Sequence, residues 1–196
     1  MAESQLKKIF LSASIPLPER NPEFYETADF IAIRDSIRAL STVIIPNCHL
    51  VWGGHPSITP IIRYIMMRMD TNLKKHVTLY QSTFFEKIFP KDNFDFENII
   101  LTEKLSTREE SLKLMRTKML SENNFSAGVF IGGMEGILDE YFLFKTHNPN
   151  AIIIPVASTG AATKIMYDNY IDDKNERFVN DYSYMSLFND LLLKHL

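Results

Sequence analysis

Residues 129–140 read Val-Phe-Ile-Gly-Gly-Met-Glu-Gly-Ile-Leu-Asp-Glu. An apolar run ends, three glycines follow within five residues, and a helical pattern opens. The run has no alternation, so it reads as a strand buried on both faces. Such strands belong to parallel sheets covered by helices on both sides. Gly132, Gly133 and Gly136 let a backbone come close to a ligand, and unpaired amides at a helix start favour anions such as phosphate. The spacing matches neither the dinucleotide G-x-G-x-x-G nor a phosphate loop with its lysine. Glu135 places a negative charge inside the turn.

Five further segments read as strands: Lys8 to Ser14, Leu50 to Trp52, His76 to Gln81, Asn98 to Thr102 and Ala151 to Pro155, with Ala127 to Ile131 as the sixth. Helical patterns alternate with them. Asp29 to Ile45 carries Ile33, Ile37, Leu40 and Ile44 and stops at Pro46. Ser57 to Met69 carries an apolar stripe, with Ser57 as its cap and Pro56 suited to the first turn. Thr107 to Leu120 opens on a capping-box spelling, Thr107-Arg108-Glu109-Glu110. Ile137 to Thr146, Gly160 to Tyr170 and Tyr184 to Leu196 complete the set, and residues 82 to 97 read as an irregular connection. The expectation is an α/β, Rossmann-like three-layer fold with a mostly parallel central sheet of about six strands. Residues 1–196 form one domain.

The chain spends its seven glycines in three places: Gly53-Gly54, then Gly128, Gly132, Gly133 and Gly136, then Gly160. Each cluster follows a predicted strand and precedes a predicted helix. All three therefore point to the carboxyl edge of the sheet, where such folds bind ligands. His55 could contact phosphate or ribose, or fill a turn. Ser12, Ser14 and Ser158 offer hydroxyls at the same edge, and Met134 and Glu135 lie within the glycine turn. Arg116 flanks the buried stripe of its helix, from where it could reach a phosphate or carboxylate.

Composition narrows the function. The 196 residues are 45% hydrophobic and 23% charged, with 21 basic and 24 acidic side chains and a net charge of -3. That balance argues against broad nucleic-acid binding. No apolar run approaches membrane-spanning length, and Met1 to Gln5 lacks a signal-peptide pattern. The one cysteine, Cys48, fits a reducing cytoplasm and reads as a small buried hydrophobe. No metal and no resident cofactor is implied. The apolar C-terminal pattern, Phe188, Leu191, Leu192, Leu193 and Leu196, suits either core packing or a homo-oligomer interface.

Taken in order, these segments resemble the SLOG superfamily, named for the DNA-processing Smf proteins and the Lonely Guy phosphoribohydrolases. Leu50 to Gly54 is similar to the Val-Tyr-Gly-Gly-Gly segment of Lonely Guy enzymes. Met115 to Met119 is similar to their Arg-Lys-x-x-Met helix, and Ile131 to Glu140 to their Pro-Gly-Gly-x-Gly-Thr-x-x-Glu loop. Here Ile131 stands for the proline, Ile137 for the threonine, and Glu135 is an extra residue. The Phe10 to Ser14 and Gly53 to Pro60 segments resemble a subgroup classed as SLOG cluster 3. The resemblance implies binding or sensing of a nucleotide-derived ligand, ADP-ribose- or NAD-related, in a bacterial conflict or antiviral-defence system. It also implies a TIR-domain or effector partner. The alternative it implies is cleavage of a nucleotide's N-glycosidic bond, with Arg116 and Glu140 in the catalytic positions. A third reading is a partner-binding domain with a vestigial cleft.

Overall fold

The computed structural model describes residues 6–196. Six strands form one all-parallel sheet: β1 (Lys8–Ser14), β2 (His49–Gly53), β3 (Val77–Ser82), β4 (Ile99–Thr102), β5 (Phe125–Gly132) and β6 (Ile152–Val156). Each lies within two residues of its predicted position. The helices are α1 (Pro22–Thr27), α2 (Phe30–Ile44), α3 (Thr59–Met66), α4 (Arg108–Ser121), α5 (Glu135–His147), α6 (Ala161–Tyr170), α7 (Arg177–Asn180) and α8 (Tyr184–Leu191).

The strand order is β4-β3-β2-β1-β5-β6. The chain winds outward from β1 to β4, then returns to lay β5 on the free side of β1. The order reverses between β1 and β5, which opens a crevice at their carboxyl ends. Ser12 stands opposite Phe130 there, and Ser14 opposite Gly132.

Two apolar layers hold the sheet. On one face Ile9, Leu11, Leu50, Trp52, Leu79 and Val129 pack with Ile33, Ile37 and Leu40 of α2, Ile62 of α3, and Leu187 and Phe188 of α8. On the other, Phe10, Val51, Tyr80 and Phe130 pack with Met115 and Met119 of α4, Ile137, Tyr141 and Phe144 of α5, and Met166 of α6. The rings of Phe10 and Phe144 stack at 5.3 Å. Gly128 belongs to this packing and not to a turn, since a Cβ there would sit 2.8 Å from the Phe144 ring.

Several boundaries differ from the sequence reading, each for a local reason. α3 begins at Thr59 after Ile58, with no side-chain cap and with Pro60 in its first turn. Ser57 does not cap it, because its hydroxyl is bonded to His55. The C-terminal helix stops at Leu191, and a short 3-10 turn covers Leu193–His195. Its apolar width is spent in the chain: Leu187, Phe188 and Leu192 are fully buried, and Leu191, Leu193 and Leu196 pack against the same cluster. The six-residue α1 was not foreseen. Asn21 caps it by accepting from the Glu23 amide at 3.0 Å. Residues 82–97 hold two 3-10 turns, Thr83–Ile88 and Lys91–Asp95. The capping box of α4 forms as spelled, with Thr107 Oγ1 accepting from the Glu110 amide and Glu110 Oε2 from the Thr107 amide, both at 3.1 Å. Cys48 is buried, which raises its thiol pKa.

Candidate functional site

Strand parity decides what reaches the crevice. Ser12 shares the face of Phe10, the side covered by α4 and α5. It is 1% exposed, and its hydroxyl donates to Glu140 Oε2 at 2.5 Å. Glu140 stands on the second turn of α5. Its other oxygen, Oε1, accepts from Arg116 Nε at 2.9 Å, and Arg116 Nη1 lies 3.4 Å from Asp139 Oδ2. The Glu140 and Arg116 side chains are mostly buried, 14% and 20% exposed, so this pair is shielded more than a surface ion pair. Three residues from three elements thus meet at one point of the crevice.

Gly136 explains why Arg116 can lie there. A Cβ at residue 136 would stand 2.4 Å from Arg116 Nη2. The guanidinium therefore crosses the first turn of α5 in space that any side chain would fill.

The preceding loop is fixed by its own backbone. Gly132 and Gly133 have φ of 59° and 81°, the region that disfavours side chains. The Gly132 amide donates to Thr159 Oγ1 at 2.9 Å and the Gly133 amide to the Ser14 carbonyl at 2.9 Å. Their carbonyls accept from Thr163 Oγ1 at 3.0 Å and the Ala162 amide at 3.2 Å. These two glycines shape the turn but have no free donor. The free donors come next: among the described residues, the amides of Met134, Glu135 and Gly136 have no partner at the start of α5. Ser14 Oγ, half-buried beside Gly133, also has none. Glu135 does not enter the loop. It is exposed and faces α1, 3.9 Å from Arg20 Nη2 and 3.4 Å from Asn21 Nδ2.

The β2 turn abuts the same crevice. Gly53 sits against the Met115 methyl, with 3.1 Å to a Cβ built there. His55 Nδ1 accepts from the Ser57 amide at 3.3 Å and lies 2.7 Å from Ser57 Oγ, which leaves the ring proton on Nε2. Burial, and after it the charge of Arg20, pushes the His55 pKa down to about 4. The ring is neutral at physiological pH. Arg20, which follows the end of β1 in the chain, thus lies near both His55 and Glu135.

The third corner takes a different part. Gly160 has φ of 70°, and a Cβ there would fall 1.9 Å from the Thr27 carbonyl. Ser158 is 7% exposed, its hydroxyl 3.0 Å from the Tyr184 hydroxyl. This turn clamps α1 and α8 and buttresses the Gly132–Gly133 loop through Thr159. Ser158 and Gly160 therefore stand behind the crevice, and the expected meeting of three corners reduces to two corners and the end of β1. Two open depressions of about 340 and 380 Å³ lie away from it, against Glu176–Asp181 and against Asp35 with Tyr182–Ser186.

An all-parallel sheet with helices on both faces defines a Rossmann-like α/β protein, and the arginine–glutamate pair and free amides at the strand-order reversal make that edge its candidate site. The model of the SLOG cluster3 family matches residues 23–192, and the chain belongs to that family. No curated protein matches the sequence. Among solved structures, the X-ray structure of TM1055, a Northeast Structural Genomics Consortium target, is similar in fold. Its TM-score is 0.54 at 14% identity, over 88% of this chain and 89% of that one.

Proposed function

We propose that this chain binds a phosphorylated, nucleotide-derived ligand in the β1/β5 crevice. The observation that carries the reading is the Ser12–Glu140–Arg116 cluster standing beside the unpartnered amides of Met134, Glu135 and Gly136. A phosphate suits those amides and the positive end of α5. A ribose suits Glu140, a carboxylate acceptor for sugar hydroxyls, and Ser14 Oγ. Arg116 can turn from Glu140 to the phosphate, and Arg20 can do the same from its loose contact with Glu135. On this reading the chain is a recognition module for an ADP-ribose- or NAD-related messenger, acting with an effector in a conflict system, as the SLOG resemblance implies.

Hydrolysis of the N-glycosidic bond is the second reading, and the Arg116–Glu140 contact favours it. A carboxylate held under the sugar can stabilise an oxocarbenium-like ribose or orient a water, while arginine holds carboxylate and phosphate. One experiment separates the two. Thermal unfolding is followed with AMP, ADP-ribose and NAD, and the solution is then assayed for free base. At 100 times its dissociation constant a ligand adds about 2.7 kcal/mol of stability. Stabilisation without free base supports recognition. Free base that disappears in Glu140→Gln, with folding intact, supports hydrolysis. No stabilisation by any of the three and no free base contradicts both.

A further inference from the structure

At the carboxyl end of β3 lies a polar side chain that the cluster above does not use. Gln81 is 5% exposed, and among the described residues its carboxamide makes no hydrogen bond. Buried polar groups nearly always find partners, and leaving one unpaired costs stability. Its neighbours at this edge obey that rule: Ser12, Ser158, Thr159 and Thr163 are all bonded. Asn93 and Thr102 also carry unpartnered atoms, but those are sealed from the surface, and the Gln81 amide is not among the sealed atoms.

The placement of Gln81 is specific. Its Nε2 stands 1.9 Å from where a Cβ of residue 54 would be, and its Cδ 2.5 Å. The carboxamide thus fills the space that Gly54 leaves open and reaches from β3 across to the β2 turn. β2 is hydrogen-bonded to β1, so the amide ends one strand spacing, about 5 Å, from the strand that carries Ser12. Gln81 shares the face of Leu79 and Ser12 the face of Phe10. A ligand touching both must lie across the top edge of the sheet.

We infer that Gln81 is a specificity-determining residue that reads the nucleobase edge of the ligand, with Gly54 conserving the space for its amide. This deepens the proposed function and rests on it: sugar and phosphate at Glu140 and α5, base at β2 and β3. A carboxamide offers one donor and one acceptor side by side, the pattern that pairs with adenine N7 and its amino group.

Calorimetric titrations of the full chain with AMP and with ribose 5-phosphate, which lacks the base, test it. Wild type binds AMP more tightly, by about 5- to 150-fold, the range of one bidentate base contact. Gln81→Leu abolishes that advantage and leaves ribose 5-phosphate affinity within about twofold. Gln81→Glu, which keeps the shape but loses the donor, does the same and serves if the leucine variant does not fold. Equal wild-type affinity for the two probes overturns the inference while the site reading stands. So does an AMP preference that survives both substitutions. Wild type binding neither probe overturns the inference, and when ADP-ribose and NAD also fail to bind, the site reading falls with it.

Discussion

Gly136→Ala isolates the contact at the centre of the site. The residue is helical, and its φ is not among the positive ones, so alanine fits the backbone. On propensity alone the change stabilises by about 0.5–1 kcal/mol. The new Cβ falls 2.4 Å from Arg116 Nη2. The guanidinium is the far end of a flexible side chain and swings away, taking its 2.9 Å bond to Glu140 with it. Hydrogen bonds to charged groups are worth about 1.5–3 kcal/mol. The balance is a loss of about 0.5–2.5 kcal/mol, read as a lower urea midpoint with an unchanged slope. The sign reverses when the arginine is absent. In an Arg116→Ala background the same glycine-to-alanine change raises stability by about 0.5–1 kcal/mol, because nothing remains for the methyl to displace. Circular dichroism of the four proteins of this cycle in urea measures both numbers. An equal loss in both backgrounds refutes the reasoning, since it makes Gly136 a backbone requirement unrelated to Arg116.

Other outcomes follow from the same geometry. Gly133→Ala has no compensation: φ is 81° and the Cβ would lie 2.0 Å from Ile137 Cγ1, so the urea midpoint falls by the equivalent of about 1–3 kcal/mol or more. His55 has its pKa lowered from 6.5 to about 4, so between those pH values the unfolded chain binds a proton that the folded chain refuses. Stability therefore rises as pH rises from about 4 to 6.5 and is complete above that, by on the order of 3 kcal/mol. His49 is lowered too, also chiefly by burial, and adds in the same direction. His55→Asn removes most of the slope in urea midpoint against pH, and a slope unchanged in that variant contradicts the assignment. Thr107→Ala removes the capping hydroxyl of α4 and costs about 1 kcal/mol, with no effect on AMP binding in a calorimetric titration.

The strands were legible because their apolar runs are uninterrupted. Leu50-Val51-Trp52 and Ala127 to Ile131 are short and end in paired glycines, which favours a strand buried on both faces over a helix. The Arg116–Glu140 pair was legible only through the order of motifs, since the two residues are 24 apart and only the α4–β5–α5 path joins them. Three features escaped. Ser57 looked like a cap, yet it bonds to His55, a local competition that residue type does not announce. Gly160 looked like a ligand turn, yet its space is taken by Thr27, a contact set by α1, which is too short to leave a periodic signal. Gln81 carries no motif at all. Only the strand order brings its amide to the β2 turn.

On the proposed function, ligand is held at the β1/β5 reversal. The amide chemical shifts of Met134, Glu135 and Gly136 during an AMP titration of the isotope-labelled chain test it most directly. Large, saturable shifts are expected at those three amides, with the Arg116 side-chain signal moving along the same curve. Saturable shifts confined to Glu176–Ser186, with the three amides unmoved, would contradict it.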